Sequence, residues 1–219
     1  MSWDAVIRWG GWALFAAAVL LVVFVAGVIV TGQELPVPAQ EALDSPGTPT
    51  TLFVIAAVGE LLLAVAALGL YHALKESGRS RMLIASTLLV MSSALFLVSR
   101  GPIISLSQLS DSYKDATTES AQAGYLATAE LAIETQNSYS TMAVILLSVA
   151  SIIIGTVLLS GTLVGRGIAY VTIAAGVASF FAPFLIIAGV PEAIGFIGLA
   201  LGAVWQFIVG LKLARLQWP

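Results

Sequence analysis

The stretch AAVGELLLAVAALGLYH, residues 56–72, is apolar or interfacial at every position except Glu60. Continued on both sides, the apolar run covers about residues 51–74, and a helix needs roughly 20 such residues to cross the hydrocarbon of a bilayer. The segment reads as a membrane-spanning helix that carries a carboxylate, with no cation beside it in sequence. How that charge is answered bears on how the neighbouring helices assemble.

The rest of the chain has the same solvent. Of 219 residues, 59% are hydrophobic and 10% charged, with a mean hydropathy of +1.01; soluble domains carry about a quarter charged residues. Five further windows reach spanning length, at about 9–30, 82–109, 138–160, 167–189 and 192–212. Little chain remains for a soluble module, so residues 1–219 are expected to form one all-α domain, a polytopic six-transmembrane-helix bundle. The first window, apolar from Gly10 to Val30, exceeds the roughly 7–15 residues of a signal-peptide core, so an uncleaved span is expected.

The charges sort by side. Alternate connections place Arg8, Lys75, Arg79, Arg81, Arg166, Lys212 and Arg215 together, seven of the nine Lys and Arg; Lys114 lies opposite and Arg100 within a span. The positive-inside rule then predicts both termini in the cytoplasm and the plasma membrane as the host bilayer. Trp3, Trp9, Trp12 and Trp218 collect at the same predicted inner interface, where indoles prefer to lie. Glu34, Glu41, Asp44, Asp111, Asp115, Glu119, Glu130, Glu134 and Glu192 fall outside. Of the two long outer connections, residues 31–50 hold four prolines and no basic residue, a composition that favours irregular chain without a folded module. In 110–137, Asp115 is the expected N-cap of a helix, either an extension running into the fourth span or a short helix on the outer rim, with Leu126, Ala129 and Ile133 at helical spacing.

Within the spans, small and hydroxyl residues recur on stripes: Ser86, Ser93, Arg100 and Ser107 in the third; Asn137, Thr141, Ser148, Ser151 and Gly155 along the fourth; Thr172, Gly176, Ser179 and Pro183 in the fifth; Glu192, Gly195, Gly198, Gly202 and Gln206 in the sixth. Such residues let membrane helices approach closely and bond across the contact, and Gly198-x-x-x-Gly202 matches a known packing pattern. Glu60 and Arg100 need another explanation. An unpaired charge at mid-bilayer costs about 2.5–3.5 kcal/mol on insertion scales, so each is expected to face the bundle interior and to meet the other directly or through water. Counted from the expected span ends at about 1.5 Å per residue, the two lie roughly 11 Å apart along the axis. Pro102, which has no N–H, predicts a kink at Gly101-Pro102 and a freed Val98 carbonyl as a second partner for the guanidinium. Glu60 and Arg100 are thus either a lock on helix register or a ligand or proton site, with Gln136, Asn137 and Gln206 as further polar lining.

Several chemistries drop out. Without cysteine there is no thiolate nucleophile or thiolate metal site; the one histidine, His72, cannot supply paired haem ligands or a zinc cluster. No Gly-x-Ser-x-Gly elbow, phosphate loop or dinucleotide fingerprint appears. Catalytic residues, metals and cofactors are therefore all expected to be none, and the protein not an enzyme. Acidic outer loops and a net charge of −3 argue against nucleic acid as a partner. The expected partner is the lipid bilayer, with a membrane protein or a small solute beside it; the sequence carries no signal of oligomeric state. The leading reading is a non-enzymatic membrane component, a scaffold, sensor or partner subunit with a buried Glu–Arg pair. The alternative is a small-solute or proton-coupled transporter or binding protein built on Glu60 and Arg100, although no inverted repeat is evident.

Successive blocks, GELLLAVAALGLYHALKESGRS (59–80), ALFLVSRG (94–101), LLSGTLVGRGIAYVTIAAGV (158–177) and GLALGAVWQFIVGLKL (198–213), resemble a prokaryotic six-span family, domain of unknown function 4386. The resemblance covers most of the chain. It implies a six-helix bundle with an acidic residue on the second span and an arginine on the third, positions that Glu60 and Arg100 match. Two departures stand out. A proline commonly precedes the arginine of the fourth connection, here Val164-Gly165-Arg166, and a histidine often stands before the fourth span, here Asn137. The resemblance implies a fold and no biochemical role.

Overall fold

In hydrocarbon every backbone N–H and C=O must be satisfied inside its own segment, and the apolar windows accordingly form helices. The computed structural model describes residues 3–32, 37–187 and 193–216, without the side chains of 48, 49, 186, 187 and 193–195. Glu34, Glu192 and Trp218 lie outside the described residues, and the Gly195 position is described as backbone only. The helices are α1 (Trp3–Thr31), α2 (Ala39–Asp44), α3 (Gly47–Asp115), α4 (Glu119–Ser160), α5 (Arg166–Ile187) and α6 (Ala193–Ala214). Five helices, α2 excepted, are long and apolar enough to cross a membrane. One of them, α3, breaks at Gly78 into two arms, 47–77 and 79–115, each long enough to span.

The arms run antiparallel. Ser86 Oγ donates to the Ala67 carbonyl at 3.2 Å, a pair that straddles Gly78. Around this hairpin the helices close a ring in which α1 packs on α3 and α6, α5 on α6 and α4, and α4 back on α3. The core lies in two apolar clusters. One, toward the Gly78 end, gathers Leu14, Leu70, Leu74, Met82, Leu89, Ile154, Leu158, Trp205 and Leu213. The other, at the far end, gathers Leu43, Phe53, Ile103, Leu106, Ala129 and Ile133. Trp3 stacks on His72 with ring centroids 4.0 Å apart, and Lys75 Nζ lies 6.0 Å over Trp3. The start of α1 and the Gly78 turn therefore share the basic end.

Several expectations change. The break in α3 at Gly78 falls in the connection expected between 74 and 82, and the backbone at Gly101-Pro102 stays helical. Thr118, not Asp115, caps α4, its Oγ1 accepting from Ala121 N at 3.3 Å; Asp115 ends α3 instead. The connection read as irregular contains α2, which lies on α3 and α4. There Ser110 Oγ donates to the Leu43 carbonyl, Lys114 Nζ to the Asp44 carbonyl at 3.1 Å, and Leu43 is fully buried. Burial of that one leucine needs the tertiary platform, which local composition cannot report. As expected, α4 begins well before its apolar half. At 1.5 Å per residue the 42 residues of α4 span about 63 Å and the 79–115 arm about 55 Å, against roughly 30 Å of hydrocarbon. The surplus stands beyond the membrane-thick region as an antiparallel hairpin.

Close approach is real where α1 meets α3. A Cβ built on Gly69 would come within 2.7 Å of Gly10 Cα, so no side chain fits between the helices. In Gly198-x-x-x-Gly202 the two glycines divide: a Cβ on Gly198 would meet Ser179 N at 3.1 Å, whereas Gly202 faces open space. The hydroxyls also divide. Ser86 and Ser92 reach other helices (Ser92 Oγ donates to the Ala143 carbonyl at 2.8 Å), while Ser93, Ser148 and Thr172 bond back to carbonyls of their own helix. The substitution Gly69→Leu should lower stability by about 1–3 kcal/mol, the usual cost of overpacking. Gly124→Leu, placed where nothing lies within 4 Å, should leave the melting temperature in detergent nearly unchanged.

Candidate functional site

Glu60 lies 18 residues before Gly78 and Arg100 lies 22 after it. Measured for both residues from the shared turn at Gly78, the axial offset is four residues, about 6 Å at 1.5 Å per residue, within reach of an arginine. Arg100 Nη2 donates to Glu60 Oε1 at 2.8 Å, and the guanidinium does not turn to the Val98 carbonyl. Both side chains are nearly enclosed, at 9% and 13% exposure. Two rings flank the cation, with Arg100 Cζ 4.9 Å from the Phe53 centroid and 5.6 Å from that of Phe96. Each ring adds electrostatic attraction that grows as water is excluded. These phenylalanines were not singled out from the sequence, although Phe96 precedes Arg100 by four residues and Phe53 precedes Glu60 by seven, both same-face spacings on a helix.

The pair is only half satisfied. Glu60 Oε2 and Arg100 Nε are buried and have no hydrogen-bond partner among the described residues. A bidentate carboxylate–guanidinium pair would have used two parallel bonds. Beside the pair lies a cavity of about 160 Å³ bounded by Ala17, Leu21 and Phe24 of α1, Gly59, Glu60 and Leu63 of the first arm, Phe96 and Arg100 of the second, Val144 and Leu147 of α4, and Leu199 and Gln206 of α6. It sits at the seam between the two apolar clusters. Its volume equals that of about five waters at roughly 30 Å³ each. Gln206 also borders an adjoining void of about 40 Å³ with Ser148, Ser151, Ser179, Gly202 and Trp205, which continues the polar lining toward α5.

Of the three residues predicted as further lining, the structure brings Gln206 to the pair and leaves Gln136 and Asn137 away from it. The cavity meets α4 at Val144 and Leu147, and Gln136 lies eight residues before Val144, about 12 Å along the helix. Gln136 instead donates from Nε2 to Ser140 Oγ at 3.4 Å; Ser140 Oγ donates to Ser99 Oγ at 3.2 Å, and Ser99 Oγ to the Phe96 carbonyl at 2.6 Å. This chain braces the turn that carries Arg100. Asn137 is half-buried and borders none of the cavity. Among the described residues, no group of three or more His, Asp or Glu is placed to hold a metal ion.

Removing one member of a buried pair strands the other. Glu60→Leu should destabilise the protein by about 3–5 kcal/mol, and adding Arg100→Leu should recover part of that loss. Thermal unfolding in detergent of the wild type, Glu60→Leu, Arg100→Leu and the double variant reads the coupling; strictly additive losses would contradict it.

A family model described as a domain of unknown function (DUF4386) matches residues 7–213, nearly the whole chain. No curated protein and no solved structure matches.

Proposed function

The chain belongs to the DUF4386 family, and from that premise we propose that it is a non-enzymatic, membrane-embedded binding protein that takes a small ligand in the central cavity. One observation carries the reading. The Glu60–Arg100 pair uses a single hydrogen bond, keeps Oε2 and Nε unused, and stands at the wall of a 160 Å³ cavity also lined by Gln206. A pair whose sole task is to lock register gains most from closing both bonds in a dry, filled interior. Unsatisfied buried groups beside empty volume instead match a site whose last partner is a guest.

Binding has a mechanical consequence in this reading. Glu60 and Arg100 sit on opposite arms of α3, joined by the Gly78 turn, so a guest that engages both draws the arms together. The second arm and α4 continue past the hydrocarbon as the hairpin on which α2 rests. That hairpin supports the sensor form of the proposal and gives a partner subunit a place to attach. The orientation we propose is both termini cytoplasmic, in the plasma membrane. It is supported by Arg8, Lys75, Arg79, Arg81, Arg166, Lys212 and Arg215 gathering around the Gly78 end.

The test is recovery of the guest. Protein purified in mild detergent and analysed by native mass spectrometry should carry a small molecule at near one copy per chain. The double variant Glu60→Gln, Arg100→Gln, which keeps hydrogen-bonding groups and removes both charges together, should lose it by at least about tenfold. Equal retention by the double variant, or a wild type that carries water alone, would refute the reading.

A further inference from the structure

The same cavity shares walls with a cleft on the lipid-facing side of the bundle. Near the basic end α1 and α6 are clamped: a Cβ on Gly210 would meet Phe15 N at 2.6 Å and Gly11 O at 2.9 Å. Farther along, the two helices part. A cleft of about 230 Å³ lies between Leu21, Val22, Val25, Ala26 and Ile29 of α1 and Phe196, Leu199, Ala200 and Ala203 of α6. Val22 and Ala203 also border a wholly apolar groove of about 540 Å³ that runs on past Val19, Val204 and Phe207. Val22 is 55% exposed and Phe207 42% exposed on this face. Leu21 and Leu199 are common to the cleft and to the cavity that holds Glu60, Arg100 and Gln206. Two leucines thus separate a lipid-facing apolar furrow from a half-satisfied buried ion pair.

Resting on the binding reading above, we propose that the guest is a single-chain amphiphile with a small O–H-bearing head, a long-chain fatty acid or fatty alcohol, which passes from the bilayer between α1 and α6. The furrow suits the chain: its lining side chains are all apolar, and its walls are exposed on the lipid-facing side. The cavity suits the head. Its volume accepts a hydroxyl or carboxylic acid with the first few methylenes and is too small for a phosphodiester with its glycerol. The bonding suits it as well. One O–H donates to a carboxylate oxygen of Glu60, and the head oxygen accepts from Arg100 or from the Gln206 amide. The pair is already neutral, so an uncharged head adds no net charge in low dielectric. Leu21 and Leu199 form the gate, because both border the cavity and the cleft, and rotation of their isobutyl side chains about χ1 and χ2 is the smallest movement that joins the two spaces.

The chain contains no cysteine, so Leu199→Cys supplies a unique thiol at the gate. Wild type and Leu199→Cys, each in nanodiscs, are irradiated with a fatty acid and with a fatty alcohol that carry a mid-chain diazirine. Adducts should map to Val22 and Ala203. A bulky maleimide on the introduced thiol should cut capture at least tenfold relative to the same protein unlabelled, and prior saturation with the fatty acid should slow labelling. The methyl ester of the acid, which has no O–H donor, should compete at least tenfold more weakly. Unchanged capture after labelling, while the double variant Glu60→Gln, Arg100→Gln loses it, would overturn the lateral route and leave the binding site standing. Equal competition by the ester would overturn the assigned head. Adducts spread evenly over all lipid-facing helices would overturn the amphiphile, and a different co-purified guest held by Glu60 and Arg100 would then show that the binding reading itself survives.

Discussion

A carboxylate and a guanidinium cannot rest singly in hydrocarbon, and the joining of Glu60 to Arg100 constrains much of this protein. The contact ties the two arms of α3 across 40 residues of chain and sets their relative height. Phe53 and Phe96 close over the cation, and the serine chain from Gln136 to Ser99 steadies the turn that carries it. The pair stands where the two apolar clusters meet, and there the interior is not filled. Packing side chains against a buried charge gains less than hydrating or ligating it, which accounts for a cavity beside the pair.

Away from the pair, cohesion comes from proximity. Helices in lipid gain little from burying one another's apolar faces, since lipid tails offer the same environment. What remains is contact at short range, and the glycines at α1–α3 and at the basic end of α1–α6 allow it. Where those residues give way to Val22, Ala200 and Ala203, α1 and α6 separate. Along the α1–α6 seam the contact is closest at Gly11 and Gly210, and the cleft farther along brings one interior space near the bilayer.

Past the hydrocarbon the physics changes back to that of water. The extension of α3 and α4 is amphipathic, and its apolar side is covered by α2 through Leu43 and Ala42. Asp111, Asp115, Glu119, Glu130 and Glu134 are all exposed, so the projecting hairpin is acidic.

The amino-acid sequence alone determined the solvent, the helical class, the spanning segments and the two residues out of place in them, because hydrocarbon admits few backbones and few charges. It also held the stripe bearing Arg100, and same-face spacing was enough to have found Phe53 and Phe96. Other features were decided only in three dimensions. The cap at Thr118, the burial of α2 and the separation of Gln136 and Asn137 from the cavity all depend on which surfaces meet. A hydropathy pattern records how each residue relates to its solvent. It carries no record of register between helices: Gln206 of α6 borders the ion pair, whereas Gln136 lies about two turns of α4 away from the cavity.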